Sequence, residues 1–204
     1  MQTPQGLTRL GARDPDSGLV QVIIDTPKGS RNKYKYDETL GVFRLSKILP
    51  LGMAFPYDFG YVPGTRAEDG DALDALIVGE EPLFPGCLVT VRLLGVLQAE
   101  QNESGRTFRN DRLVGMVKTQ MNEPDLQSLE ALGERRLEEI EQFFMAYNQA
   151  EGRQFMPLGR SGPEVAEHLL SEAMRRCEAA RNSTKGEQRA APGGRGKARQ
   201  QSAV

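Results

Sequence analysis

Residues 68–78 read EDGDALDALIV, an acidic turn that runs directly into an apolar segment. The apolar end, residues 75–78, is typical of a buried β-strand, and the glycine before it indicates a turn. Three aspartates, Asp69, Asp71 and Asp74, precede that strand. A turning backbone brings such carboxylates towards one point, where they repel each other unless cations separate them. The segment therefore predicts a strand with a cation site at its start.

Other strand-like segments lie on both sides of this acidic stretch, between residues 19 and 117. Each is short and bounded by turn residues: they cover residues 19–24, 33–36, 42–45, 88–97 and 113–117. Many short strands joined by tight turns predict a small closed β-barrel.

The hydrophobic period changes from two to 3.6 after Pro124. One apolar stripe predicts a helix from about Glu134 to Ala150. A second helix is predicted to begin near Pro163, where Ser-Gly-Pro-Glu supplies an N-terminal signal. We therefore expect a mainly β fold of the α+β class, with two or three helices packed on the barrel.

The length and the charge of the chain limit the number of domains and the kinds of partner that we expect. The 204 residues fit one sizeable domain. We expect an N-terminal extension over residues 1–18, the barrel domain with its helices over 19–180, and a disordered basic tail over 181–204. Because basic residues gather in the tail, the body is acidic although the net charge is only −2. An acidic body argues against a nucleic-acid partner.

No segment predicts secretion or insertion into a membrane. The first twenty residues contain no continuous apolar core, and no later apolar run approaches the length that spans a bilayer. The two cysteines, Cys87 and Cys177, lie in apolar surroundings without metal-binding spacing, so we expect buried free thiols. A cytoplasmic location without a membrane partner follows as the expectation.

Positive charge is concentrated in residues 25–37, which read DTPKGSRNKYKYD. Lys33, with Lys47 further on, is a candidate clamp for a small polyanion, because phosphoryl transfer is catalysed chiefly by positioning and charge neutralisation. Taken alone, this segment is better explained as an exposed lysine-rich hairpin. The acidic stretch at residues 68–78, taken alone, also fits a solvent-facing turn about as well as a metal site.

The available ligand types decide which metal the acidic stretch suits. Oxygen ligands favour a hard cation, so Mg²⁺ comes before Mn²⁺. Zinc is disfavoured because the lone His168 and two scattered cysteines cannot form its usual cage. An EF-hand calcium loop is excluded because its final glutamate and its flanking helices are missing.

An aromatic segment at residues 55–64, FPYDFGYVPG, precedes the acidic stretch. The cationic, aromatic and acidic groups in this order, followed by PLFPG at 82–86 and NDRLV at 110–114, closely resemble family I soluble inorganic pyrophosphatases. The match extends into FFMAY at 143–147 and covers roughly residues 19–178. The resemblance implies an OB-like pyrophosphatase barrel that hydrolyses pyrophosphate as a homo-oligomer.

The resemblance also implies metal ligands. Asp69-Gly-Asp71-Ala-Leu-Asp74 matches the family signature Asp-Gly-Asp-Pro-x-Asp except at the proline. Asp69 and Asp74 are expected to bind the activating Mg²⁺ or Mn²⁺. Asp71 is expected to bind metal and, as the catalytic residue, to take the proton from the attacking water or to orient it. Asp111 is the expected bridging carboxylate, with Asn110 as the alternative if the hairpin is aligned one residue differently.

Further contacts are carried over from the same resemblance. Glu100, with Gln101 as the alternative, is expected to be the other metal ligand of the hairpin. The expected contacts to the substrate phosphates are Lys33, Lys47, Arg112 and Tyr147.

Several residues depart from the family pattern. Lys35 stands where many members carry a metal-associated glutamate, Phe59 replaces a phosphate-binding tyrosine, and Asn148 replaces a common lysine. These departures motivate a rival hypothesis, a pyrophosphatase-like protein that binds phosphorylated ligands or partner proteins without turnover. A second rival is a barrel that binds nucleic acid through its aromatic residues and basic tail, against which the acidic body weighs.

Overall fold

A computed structural model describes residue 7, residues 10–118 and residues 126–190, with side chains described as far as residue 183. Within these residues the chain forms nine strands, two α-helices and a 3-10 helix at Leu129–Leu132. The strands are β1 Val20–Thr26, β2 Asn32–Asp37, β3 Val42–Ile48, β4 Asp58–Val62, β5 Leu73–Val78, β6 Leu88–Glu103, β7 Arg106–Arg109, β8 Arg112–Val117 and β9 Gln154–Ser161. The helices are α1 Glu134–Ala150 and α2 Pro163–Ala190.

Five strands close into a ring in the order β1, β4, β5, β8 and β6, with β6 pairing back onto β1. The β5–β8 pair is parallel and the other pairs of the ring are antiparallel. Strand β6 is long enough to pair also with β7 and β9. Its register shifts at Gly95, where a Cβ atom would lie 2.3 Å from the carbonyl oxygen of Ser161, so only glycine allows this close approach.

The strands of the ring bury apolar residues on both faces, which supports two hydrophobic clusters. In β5, Ala75 and Ile77 face the cluster that α2 covers, while Leu76 between them faces the cluster under α1. This alternation is the period of a β-strand. Because both faces of β5 are held by the core, the acidic turn that precedes it is anchored at its strand end.

A second sheet is the hairpin of β2 and β3, in which Lys33 lies opposite Lys47. It contacts the barrel through β1 and carries the cationic segment predicted from residues 25–37. The hairpin therefore brings both candidate phosphate-binding lysines to one place.

The closed barrel, the bounds of α1 and the start of α2 confirm the sequence-based predictions. Three strands, β4, β7 and β9, were not predicted as strands. Strand β4 was missed because it lies in the aromatic segment, which suggests turns. Helix α2 continues to Ala190 and so covers part of the segment predicted as a tail; residues 191–204 lie outside the described residues. Cys87 and Cys177 are free thiols, although both are partly exposed rather than buried. No helix in the described part of the chain is long and apolar enough to cross a membrane.

Candidate active site

A cavity of about 750 Å³ opens between the start of β5, the β2–β3 hairpin, the β6–β7 hairpin and α1. We call it the site cavity. Charged side chains of both signs line it. The acids are Glu68, Asp69, Asp71, Asp74 and Glu103, and the cations are Lys33, Lys35, Lys47, Arg106, Arg112 and Arg153.

The three aspartates of the acidic turn form what we call the acidic wall: Asp69, Asp71 and Asp74. The turn is closed by backbone hydrogen bonds, in which the Ala67 amide donates to the Asp71 carbonyl at 2.7 Å and the Asp71 amide donates to Oδ1 of Asp69 at 3.0 Å. Burial raises the pKa of both Asp69 and Asp74 above the ordinary value for aspartate. The structure thus brings all three predicted carboxylates to one cavity, where charge is costly without a cation.

Two lysines of the β2–β3 hairpin flank Tyr147 of α1. Nζ of Lys33 lies 4.9 Å from the ring centre of Phe59 and 5.4 Å from that of Tyr147, and Nζ of Lys47 lies 5.6 Å from the latter. Lys47 also forms an ion pair with Glu151. Burial acts to lower the pKa of Lys33, but its interactions with Tyr147, Asp74 and Asp25 outweigh that effect and raise it. Lys33 is therefore a firmly charged group within the cavity.

Arg112 is a deeply buried cation of the site cavity, with only 3% of its surface exposed. Its guanidinium carbon lies 4.2 Å from the ring centre of Phe144 and 4.6 Å from that of Phe155. One terminal nitrogen donates to the Asn110 carbonyl at 3.0 Å. Nε lacks a hydrogen-bond partner among the described residues and lies 3.9 Å from Oδ2 of Asp74. Burial lowers the pKa of this guanidinium. Its unpartnered Nε is a hydrogen-bond donor whose capacity is unused within the described residues.

The β6–β7 hairpin and the residue that follows it place an amide pair on the lining of the cavity. The side-chain nitrogen of Asn110 donates to Oε1 of Gln101 at 2.7 Å, and both residues line the cavity. We call Gln101, Asn110 and Arg112 the hairpin wall. It carries no carboxylate of its own.

The structure places two predicted metal ligands off the lining of the site cavity. Glu100 lies outside the cavity, because successive side chains of a strand point to opposite faces and its neighbour Gln101 takes the inner face. Asp111 does not line the cavity either: its carboxylate accepts hydrogen bonds from the Ala99 amide at 3.0 Å and from Arg109 at 2.7 Å. The alternatives, Gln101 and Asn110, hold the cavity positions. Counting strand alternation along β6 was the signal that could have identified Gln101.

A smaller cavity of about 170 Å³ lies behind the acidic wall and shares Lys33, Lys35, Asp71 and Asp74 with the site cavity. Asp25 lines it; its carboxyl group is buried, and Oδ1 has no hydrogen-bond partner among the described residues. Burial raises the pKa of Asp25 to about 7. Burial thus favours the protonated form of this carboxyl group.

The donor set of the acidic wall fits a hard divalent cation. No three Asp, Glu, His or Cys side chains in the described ranges converge closely enough to cage an ion by themselves. Such a cage is not needed for Mg²⁺, which proteins bind through one or two carboxylates together with water and substrate phosphate oxygens. The one-sided wall, open to the site cavity, is suited to that kind of binding.

Comparison with known proteins relates the chain to inorganic pyrophosphatases. A family model described as "Inorganic pyrophosphatase" matches residues 22–178. The chain is 33% identical over 169 residues to an inorganic pyrophosphatase of Synechocystis sp., which covers 83% of this chain and 97% of the relative. The crystal structure of the inorganic pyrophosphatase from Thermus thermophilus is similar, with a TM-score of 0.77 and 31% identity over 85% of this chain and 99% of that one. A structure from Neisseria gonorrhoeae matches with a TM-score of 0.75, 28% identity, and 84% and 98% of the two chains covered.

Proposed function

The chain belongs to the inorganic pyrophosphatase family, and we propose on that basis that it hydrolyses inorganic pyrophosphate to two phosphates in the site cavity. The observation that carries the proposal is the meeting of three aspartates with Lys33, Lys47 and Arg112 around one cavity. Such a cavity suits a small polyanion, because its cations neutralise the phosphates while its carboxylates attract the divalent ions that accompany them. The rival hypothesis of binding without turnover rests on the departures at Lys35, Phe59 and Asn148. Membership of the pyrophosphatase family favours turnover over it.

The cations bind and orient the substrate in this proposal. Arg112 lines the cavity as a buried guanidinium, whose charge and planar donor set suit a phosphate oxygen better than an exposed lysine would. Lys33 and Lys47 lie on either side of Tyr147, whose hydroxyl is a further donor. Together they hold the departing phosphate and stabilise the negative charge that it gains.

The acidic wall is proposed to hold the divalent cations, with Mg²⁺ preferred and Mn²⁺ as a substitute. When bound, such a cation supplies charge neutralisation and a lowered pKa of water. Asp69 and Asp74 contribute ligand oxygens. Asp71 is exposed within the cavity and accepts the proton of the attacking water, or orients that water.

The remaining expectations also stay proposals. We infer a homo-oligomer in the cytoplasm, with pyrophosphate as the substrate and neither nucleic acid nor membrane as a partner. The domain division at residues 18 and 180 likewise stays a prediction.

Phosphate release from pyrophosphate with Mg²⁺ tests the proposed function. The wild-type protein should turn over, and Asp71→Asn should lower kcat by at least about 100-fold, the scale of general base catalysis. Asp16→Asn, which changes an exposed carboxylate far from the cavity, is the matched control and should keep full activity. A wild-type protein that binds pyrophosphate and never cleaves it would overturn the proposal and revive the binding hypothesis.

A further inference from the structure

Lys35 forms an ion pair whose role is not explained by folding stability. Its Nζ lies 2.9 Å from Oδ2 of Asp71. Both residues line the site cavity and also the smaller cavity behind it. Both side chains are well exposed, at 64% and 68%. An ion pair this exposed adds little to folding stability. We therefore expect the charge of this ammonium group to act mainly on the ligand that binds beside Asp71.

The charge balance of the whole site cavity also indicates that protein cations act on a bound ligand. Six cations face five acids on its walls. Several of the acids are already matched within the chain: Asp71 by Lys35, Asp74 by Arg112 at 3.9 Å, and Glu103 by Arg153 at 2.9 Å. The cavity thus supplies part of its own neutralising charge before any ligand enters.

We propose that Lys35 is a built-in counter-cation for Asp71, which takes the place of one divalent ion in the site. The inference rests on the proposed function and concerns how pyrophosphate is bound. With Lys35 present, Asp71 is partly neutralised, so the acidic wall attracts divalent ions less strongly. The same ammonium group lies at the cavity and adds to the attraction for the substrate.

Two consequences separate this role from a structural one. Removing the charge of Lys35 leaves the Asp71 carboxylate free, so divalent ions bind more tightly. It also takes one cation from the cavity, so pyrophosphate without metal binds more weakly. A merely structural lysine would change neither quantity, or would change both in the same direction through loss of folding.

The first measurement is a Mn²⁺ titration of the full chain without substrate, in which free Mn²⁺ is followed by its EPR signal. Lys35→Met keeps the length of the side chain and removes its charge, and it should bind Mn²⁺ about 10-fold more tightly than the wild type, or bind an additional ion. Lys35→Arg should restore the wild-type titration. Arg44→Met is the matched control, since Arg44 is an exposed cation directly opposite Lys35 in the hairpin, pairs with Asp37 and does not line either cavity.

The second measurement is calorimetric titration with pyrophosphate in the presence of EDTA at low salt. Lys35→Met should weaken binding about 10-fold, whereas Arg44→Met should leave it unchanged. Identical Mn²⁺ titrations for the wild type and Lys35→Met would overturn the inference, as would a shift that Lys35→Arg fails to reverse. Neither readout depends on turnover. A protein that shows both shifts but releases no phosphate would disprove the proposed function and leave the role of Lys35 standing.

Discussion

The acidic wall and the hairpin wall face the same cavity but are built in opposite ways. The acidic wall is a short turn and the start of β5, and its three aspartates lie within six residues of the chain. The turn is tied by a 2.7 Å hydrogen bond from the Ala67 amide to the Asp71 carbonyl. The hairpin wall combines Gln101 near the end of the 16-residue strand β6, Asn110 after β7 and Arg112 at the start of β8, and so presents two amides and a buried guanidinium. The nearby carboxylates of Glu100 and Asp111 are kept outside.

This difference indicates a division of labour. Divalent cations are drawn to the acidic wall, because the carboxylate of Glu103 on the hairpin is already paired with Arg153. The hairpin wall donates hydrogen bonds and positive charge. A polyanion between them is then contacted by metal on one side and by protein cations on the other. Variants that alter the charge of one wall at a time test this division.

The largest expected effect concerns Asp25, behind the acidic wall. Its pKa is raised from 3.8 to about 7 by burial, so the folded state holds the proton more tightly than the unfolded state does. Stability is therefore lost as the pH rises from about 4 to about 7. Asp25→Asn should raise the free energy of unfolding by up to about 4 kcal/mol at pH values above about 7, and by less as the pH falls towards about 5.

Urea denaturation at several pH values checks this expectation, with Asp16→Asn as an exposed control. Equal stabilities of the wild type and Asp25→Asn across the pH range would show that Asp25 carries its full charge in the folded protein. The acidic wall would then have a fourth ionised carboxylate behind it, and the contrast between the walls would be larger than described.

The next effect concerns the two arginines of the hairpin. Arg112 points into the site cavity, whereas Arg109 pairs with Asp111 outside it. Arg112→Met should lower kcat/KM for pyrophosphate about 100-fold, because a preorganised charged donor is lost. Arg109→Met should lower it far less. Steady-state kinetics on variants whose folding is verified by circular dichroism measure both. Equal losses would mean that the whole hairpin, rather than its inner face, supports catalysis.

The acidic wall could be predicted from the sequence because its residues are neighbours along the chain. Asp69, Asp71 and Asp74 share one turn, so any fold of that segment keeps them together. The helix over residues 134–150 was predictable for the same reason, since its signal is a local period. Both depend on short-range geometry alone.

The hairpin wall was harder to predict from the sequence, because its geometry depends on the register of a long strand. The register of β6 shifts near Gly95 and again between Gln98 and Ala99. Each shift changes which side chains face inward, and a single sequence does not reveal it. The stacking of Arg112 on Phe144 and Phe155 joins residues from three separate elements. Such contacts follow from the tertiary structure and not from the local pattern.

Adding a negative charge to the hairpin wall tests the contrast between the two walls. Asn110→Asp adds a carboxylate inside the cavity, so Mn²⁺ should bind about 10-fold more tightly in an EPR titration. Asn102→Asp adds the same charge to the same hairpin at a residue that does not line the cavity, and should change Mn²⁺ binding far less. If both variants tighten binding equally, net charge rather than position controls the metal affinity.

The smallest effect is expected at Glu100, whose carboxylate belongs to the hairpin but not to its wall. The side chain of Gln101 takes the cavity face of β6, and Glu100 lies on the opposite face across from Arg109 and Met156. Glu100→Gln removes a charge without removing a cavity ligand, so kcat and the Mg²⁺ concentration for half-maximal activity should stay within about twofold of the wild type. Activity titrated against Mg²⁺ measures both quantities. A marked rise in the Mg²⁺ requirement would show that Glu100 reaches the bound ions during turnover, and the hairpin would then share in metal binding rather than oppose it with amides and cations alone.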